Sequence, residues 1–435
     1  MRAGAPRRVA ACGVAGLVLL AAGLALLLVL PGVLREQVAK NVRIQPDSMF
    51  FNLWKDLPVP FYFSVYIFEV LNPKEVFDGK KPAVEQRGPY VFREYREKKN
   101  ITFHENGTVS FREYRRFHFQ PERSNGTEED YVVVPNILVL GAAVMLEDLQ
   151  SPLQIAVSTA FSLFRQKAFM NRTVGELLWG YDDPLIKFLN TIRPGLMPFG
   201  DKFGLLVGMN NTDMGLFTVN TGANDISKVQ MVDNWNGLKQ VSYWNSKQCN
   251  GINGTAGELW PPFMTPSSPL EFYSPDACRS IKLQFRETGE YGGIPTYRYV
   301  APKTLFANGT DYPPNEGFCP CRQSGIQNMS SCRLSLMRQQ MTGAPLNVSV
   351  RLQLNLFIKR VPRIIQTGKI SPVVLPLIWF EESGVLDGKL LNEFYTYLVM
   401  VPTVLGYLQY CAIGVGAVLL ALMSFLWLRN KVGTS

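Results

Sequence analysis

Histidine is nearly missing: His104 and His118 are the only two in 435 residues. Also absent are a His-Glu-x-x-His zinc motif, a Gly-x-Ser-x-Gly nucleophile elbow and a phosphate-binding loop. Gly414-Val415-Gly416 lies in a long apolar run, so it is no dinucleotide turn. The acidic pairs Glu128-Glu129 and Asp182-Asp183 sit in polar, turn-like segments where a carboxylate is ordinarily solvated. No enzyme activity, metal or other cofactor is expected. No Lys/Arg cluster resembles a nucleic-acid-binding arm, so the net charge of +9 argues for no nucleic-acid partner and leaves an anionic ligand or lipid surface open. Repeats and low-complexity linkers are lacking too.

What the chain does have is two long uncharged apolar runs. Residues 9–30 and 407–428 are each long enough to cross a hydrocarbon core of about 30 Å at a rise of about 1.5 Å per residue. The first exceeds the roughly 7–15 apolar residues of a cleaved signal core, so it reads as a retained anchor. Its flanks are ambiguous: Arg2, Arg7 and Arg8 precede it, and Arg35, Lys40 and Arg43 follow. The second is clear, with Glu381, Glu382, Asp387 and Glu393 before it and Arg429 and Lys431 after it. The expected plan is a cytoplasmic tail (1–8), a span (9–30), an ectodomain (31–406), a span (407–428) and a cytoplasmic tail (429–435).

Nine Asn-x-Ser/Thr sequons support that plan, because all lie between the runs: Asn100, Asn106, Asn125, Asn171, Asn210, Asn253, Asn308, Asn328 and Asn347. One such triplet is weak evidence; nine in one segment predict a glycosylated exterior face. The intervening residues, with 12% aromatic and 18% charged residues in the whole chain, read as globular and not disordered. Cys12 and Cys411 fall inside the apolar runs. The other five, Cys249, Cys278, Cys319, Cys321 and Cys332, should form disulfides in an oxidising compartment with one left over. Cys319-Pro320-Cys321 has neither the spacing nor the second pair of a zinc site.

Between the runs the chain is expected to be mixed α/β and mainly antiparallel, one large β-domain with inserted helices. Strands are predicted at 61–70, 131–134, 215–220, 297–300 and 350–358, and a hairpin over 101–119 turning at Asn106-Gly107. Helical spacing covers 153–170 and 174–190, with Pro184 interrupting the second. Two non-enzymatic classes remain, a ligand receptor or transfer protein and an oligomeric ion channel with two helices per subunit. Neither run carries a polar stripe beyond Gln409 and Ser424, which weakens the channel.

Several segments together carry a family resemblance: Arg87-Gly88-Pro89-Tyr90, PNILVLG from Pro135, AFMNRTVGELLWGY from Ala168, WPPFMTP from Trp260, GIPTYRYVAPKTLFANGT from Gly293 and NEGFCPC from Asn315. The chain resembles the class B scavenger receptors over nearly its whole length, in collinear order. The resemblance implies an irregular β-barrel ectodomain with an apical helical bundle, here about 151–193, and an apolar tunnel leading to the bilayer. It implies high-density lipoprotein and apolipoproteins, cholesteryl ester, cholesterol and phospholipid as partners, with selective lipid transfer and scavenging of anionic phospholipid or modified lipoprotein. Pure adhesion without transfer is the alternative within the class. It further implies disulfides Cys278–Cys332 and Cys319–Cys321, with Cys249 unpaired. Phe161, Phe164, Arg165 and Lys167 are expected at the ligand-docking apex. Gly13, Gly16 and Gly23 resemble a feature linked to self-association as a homo-oligomer.

The sequence departs from the family between Cys332 and Val350, where it is shorter by several tens of residues. If that stretch supplies core strands, tunnel closure and export are in question. The tail 429–435 lacks the apolar C-terminal residue that a peptide-binding scaffold grips, so adaptor binding is not expected. Digestion of the cell-expressed protein with an N-glycosidase should increase its electrophoretic mobility. Unchanged mobility would place residues 31–406 on the wrong side of the membrane.

Overall fold

The computed structural model describes residues 5–46, 48–56, 59–148, 150–192, 200–319, 323–329 and 346–432. Helix α1 (Ala5–Val42) leads into strands β1 (Phe61–Val70), β2 (Val84–Phe103) and β3 (Thr108–Phe119). Helices α2 (Ile137–Met145), α3 (Ser151–Leu163), α4 (Val174–Trp179) and α5 (Pro184–Ile192) follow. Strands β4 (Thr212–Asn220), β5 (Val232–Trp235), β6 (Leu270–Ser274), β7 (Arg279–Tyr291), β8 (Ile294–Val300), β9 (Asn347–Ile358) and β10 (Val373–Val385) complete the ectodomain before helix α6 (Val401–Val432).

Seven strands form one curled antiparallel sheet in the order β9-β10-β1-β2-β3-β4-β5, a half-barrel flanked by the sheet β6-β7-β8. The architecture is the mainly antiparallel fold with helices that the sequence implies. Strand β1 shows why its residues fold this way: Phe61, Phe63, Val65 and Ile67 are buried, and Tyr62, Ser64 and Tyr66 face partly outward. The expected hairpin is present, with Gly107 at φ +79° in the turn. The helical stretch breaks earlier than its periodicity suggests. Arg165 at φ +53° ends α3 and Gly180 at φ +109° ends α4, so Pro184 opens α5 and does not interrupt a helix.

Strands β1 and β10 are first and last in the chain, yet they pair at the middle of the sheet. The start of β1 meets the end of β10, with Phe61 opposite Gly384. Both ends of the chain therefore leave the sheet at the same place, and α1 and α6 pack side by side. Gly13, Gly16, Gly23 and Gly416 line that helix contact. A Cβ on Gly16 would lie 2.9 Å from Leu419 Cβ, and one on Gly23 2.6 Å from Ile413 Cγ1. Both helices are long and apolar enough to cross a membrane, as a two-span protein requires.

At the opposite end of the sheet, Val70, Ile358 and Leu375 pack with Leu140 of α2. Helix α2 thus sits distal to the paired helices, and Phe161 of α3 and Leu185 of α5 pack on it through Val139 and Ala143. Gly384 is under a specific demand: a Cβ there would come within 2.5 Å of the Phe61 ring. Gly384→Val is expected to lower stability by about 1–3 kcal/mol, the usual cost of overpacking a core. Thermal unfolding of the detergent-solubilised chain measures it.

Candidate functional site

Helix α3 has its polarity inverted. Gln154 and Ser158 are buried, whereas Leu153, Ile155 and Leu163 are 52%, 53% and 72% exposed. Its outer face also carries Pro152, Ala156, Thr159 and Ser162, and the helix contains no charged residue. An ordinary surface helix hides its apolar stripe and shows charge. Here the inner face is held by hydrogen bonds to residues 365–366. Ser158 Oγ donates to Gln366 Oε1 at 3.0 Å, Gln366 Nε2 donates to Ser158 O at 3.1 Å and to Ser162 Oγ at 2.9 Å, and the Ile365 amide donates to Ser158 Oγ at 3.2 Å. Gln154 Nε2 donates to Glu147 O at 2.6 Å, fastening α3 to the end of α2. Ile365 itself is 69% exposed and Met145 72%.

The expected apex residues take different places around this helix. Phe161 is 4% exposed and packs with Val139, Ala143 and Leu185, so it supports α3 from beneath and offers no outer surface. Phe164 is half-buried, its ring 5.1 Å from that of Phe188, which ties α3 to α5. Arg165 and Lys167 are exposed in the turn that follows. The structure thus joins two cations to an uncharged apolar helix face. The exposed Leu153, Ile155 and Leu163 escape a reading by periodicity, which assigns apolar residues to the core.

Other expected sites fall as follows. Asn100, Asn106, Asn125, Asn171, Asn253 and Asn347 are exposed; Asn210, Asn308 and Asn328 are half-buried. Cys278 and Cys319 are disulfide-bonded, Cys249 is a buried free thiol, and Cys321 and Cys332 lie outside the described residues. Gly13, Gly16 and Gly23, expected at a contact between copies, face the chain's own helix α6. Among the described residues no group of three or more His, Cys, Asp or Glu could hold a metal ion.

A second feature lies inside the sheet. Inward positions of β2 run Phe92, Glu94, Arg96, Lys98, and those of β3 run Phe111, Glu113, Arg115, Phe117. The charges form a belt with Glu382 of β10, Glu258 and Asp276, each 6% exposed or less. Arg96 Nε meets Glu94 at 2.9 Å and its Nη2 meets Glu382. Lys98 Nζ lies 3.1 Å from Glu113 and 2.7 Å from Glu258, and Arg115 lies 3.3 Å from Asp276. Arg96 also stacks over Phe61 at 4.5 Å.

Five acids against three bases leave two negative charges too many for a buried site. The excess raises the proton affinity of two of the carboxyls. Burial, with Glu113 adjacent, pushes Glu258 well above the usual carboxylate range despite Lys98. Burial likewise pushes Glu382 up to about 8, outweighing Arg96. Burial alone would lower Arg96, but Glu382, Glu94 and Glu113 hold it firmly cationic. Glu113 is depressed: burial would raise it, and Lys98 and the hydrogen bond with Glu258 more than reverse that.

The CD36 family profile matches residues 14–337 and 333–427. This chain belongs to the CD36 family. It is 53% identical to scavenger receptor class B member 1 of Cricetulus griseus over 453 aligned positions, covering 96% of this chain and 89% of that protein. It is 52% identical to scavenger receptor class B member 1 of Sus scrofa, covering 97% and 90%. It is 30% identical to lysosome membrane protein 2 of Homo sapiens, covering 81% and 80%. The two matched segments meet at 333–337, inside the interval Cys332–Val350 that the sequence marks as shortened.

The belt generates a pH dependence. Glu382 holds its proton more tightly folded than unfolded, where its ordinary value is 4.5. Between about 4.5 and 8 the native state binds more protons, so stability falls as pH rises, by at most about 1.4 kcal/mol per unit per group. Glu113 acts in the opposite sense and only below about 4.5, outside that window. Melting temperatures of the wild type should fall from pH 5 to pH 8, and Glu382→Gln should flatten that fall. An equal slope in the variant would show that Glu382 is ionised throughout.

Proposed function

We propose that this CD36-family chain is a cell-surface receptor for lipoprotein particles, high-density lipoprotein among them. It moves cholesteryl ester and cholesterol between a docked particle and its own membrane through an apolar ectodomain interior. Both termini are cytoplasmic and the ectodomain is extracellular, as the confinement of all nine sequons between the apolar helices favours. The receptor reading draws on the names of the relatives at 52–53% identity.

The inverted helix α3 carries the reading. A lipoprotein surface presents anionic phospholipid and apolar chains together, and α3 presents its complement: exposed Leu153, Ile155 and Leu163 beside the cations Arg165 and Lys167. Apolar area withdrawn from water contributes about 25 cal/mol per Å², and Arg and Lys add attraction that salt screens. The helix lies distal to the membrane pair, where a particle has access. A sterol ester is too insoluble to cross water unaided, and an apolar conduit removes most of that cost without bond-breaking. Transfer then needs only a concentration gradient.

Ile155→Glu with Leu163→Glu is expected to weaken binding of high-density lipoprotein at least tenfold at normal surface expression. Arg165→Glu with Lys167→Glu should weaken it less at high salt than at low salt. Both variants are read by particle binding and by uptake of labelled cholesteryl ester beyond whole-particle uptake. Unchanged binding in the first variant would remove α3 from the docking surface. Binding without selective ester uptake by the wild type would leave an adhesion receptor, and a ligand-gated current would revive the channel.

A further inference from the structure

Trp260–Pro266 (WPPFMTP) is an uncharged segment built to hold one aromatic ring outward. Trp260 anchors its start: the ring packs on Phe272 at 6.1 Å and its Nε1 donates to Glu271 O at 3.1 Å. Thr265 fixes its end, its amide donating to Ser268 Oγ at 2.9 Å while its carbonyl accepts from Tyr299 Oη at 3.2 Å. Between these fixed points Phe263 is held at φ +64°, a conformation disfavoured for a bulky side chain, and is 42% exposed.

The exposed ring is next to the membrane helices. Arg35 of α1 lies 4.8 Å from its centroid. Five residues separate Arg35 from the end of the apolar run at Leu30, about 7.5 Å along a helix. Headgroups occupy about 5–7.5 Å on each side of the hydrocarbon core, which puts Arg35 at the outer limit of that layer. The neighbouring hairpin reaches the other stalk. A Cβ on Gly293, in the β7–β8 turn, would lie 2.7 Å from the Tyr395 ring, and Tyr291 Oη donates to Leu386 O at 3.2 Å. Segment and hairpin, joined through Tyr299 and Thr265, therefore touch the approaches to both spans. Phe263 is thus exposed beside one stalk, and Tyr395 and Tyr397, 37% and 61% exposed, lie on the other.

We infer that Trp260–Pro266 is a membrane-contact loop that seats Phe263 in the outer-leaflet headgroup layer and holds the base of the ectodomain on the bilayer. Its partner is the lipid of the membrane that the chain itself spans. Arg35 occupies the adjoining position, where a guanidinium meets lipid phosphate while its stem lies along the Phe263 ring. The inference rests on the two-span reading but not on lipoprotein docking.

Nitroxide depth measurement in phosphatidylcholine nanodiscs tests it, using the full chain with Cys12→Ala and Cys411→Ala; the remaining free thiol among the described residues, Cys249, is buried. A label introduced by Phe263→Cys should show an oxygen-to-nickel-chelate accessibility ratio severalfold above that of a label at the exposed Asp78→Cys, beyond the Val70 end of β1. A label by Pro266→Cys, in the same loop, serves if Phe263→Cys does not fold. A second sample retaining only native Cys12 reports the first span. Ratios at 263 and 266 equal to that at 78, with Cys12 in lipid, would overturn the loop contact. A water-exposed Cys12 would overturn the two-span reading and the loop contact with it.

Discussion

The pairing of the first strand with the last is the constraint on which the rest of the molecule depends. Because β1 and β10 are antiparallel neighbours and Phe61 stands opposite Gly384, the chain begins and ends its ectodomain at one edge of one sheet. Two apolar helices leaving that edge are bound to run together, and glycines at 13, 16, 23 and 416 let their backbones approach. The opposite ends of the same strands must then point away from the membrane. That is where α2 packs on Val70, Ile358 and Leu375, with Phe161 of α3 and Leu185 of α5 packed on α2. The proposed docking face and the proposed membrane-seated base would both follow from this single strand pairing.

The charged belt secures that pairing from inside. Arg96 on β2 reaches past Phe61 of β1 to Glu382 of β10, so it joins strands that share no backbone hydrogen bond. A one-residue slip of any of the three strands would turn its charges to the other face and leave partners buried and unmatched. Loss of one partner from a buried ion pair costs about 3–5 kcal/mol, although a well-packed apolar replacement for the whole pair is often neutral. The belt is thus better understood as specifying register than as adding stability. It also divides the interior: the apolar cluster around Phe63, Phe92 and Phe117 lies on one side, and that around Trp54, Phe111 and Phe217 on the other.

Much of the frame was legible in the sequence. Strand β1 announces itself by alternation, the hairpin by Asn106-Gly107, and the membrane helices by length without charge. The belt was not legible, because a strand reading Arg93, Glu94, Tyr95, Arg96, Glu97 and Lys98 is polar at every second position whichever face is counted. Only the third dimension tells which charges are inside. Helix α3 misled for the complementary reason: periodicity finds its apolar residues and assigns them inward, but a buried partner rich in hydrogen-bonding groups, Gln366, draws Ser158 inward instead. The resemblance took Phe161, a buried supporting side chain, for a surface one.

The shortened interval before Val350 bears on one edge of this arrangement and not on its centre. It leads directly into β9, which pairs with β10 from Asn347 to Ile358 and forms the outer edge of the sheet among the described residues. The pairings that bring the chain ends together, β10 with β1 and β1 with β2, lie inboard of it. So do Arg96, Glu382 and the other belt residues on β2, β3 and β10. Residues missing from the interval therefore leave the registering charges, the paired membrane helices and the distal contacts of α3 with Gln366 in place. What they alter is how the half-barrel is covered along β9, and with it how completely an apolar interior is shielded from water. The proposed lipid transfer would depend on that shielding; the proposed docking on α3 would not.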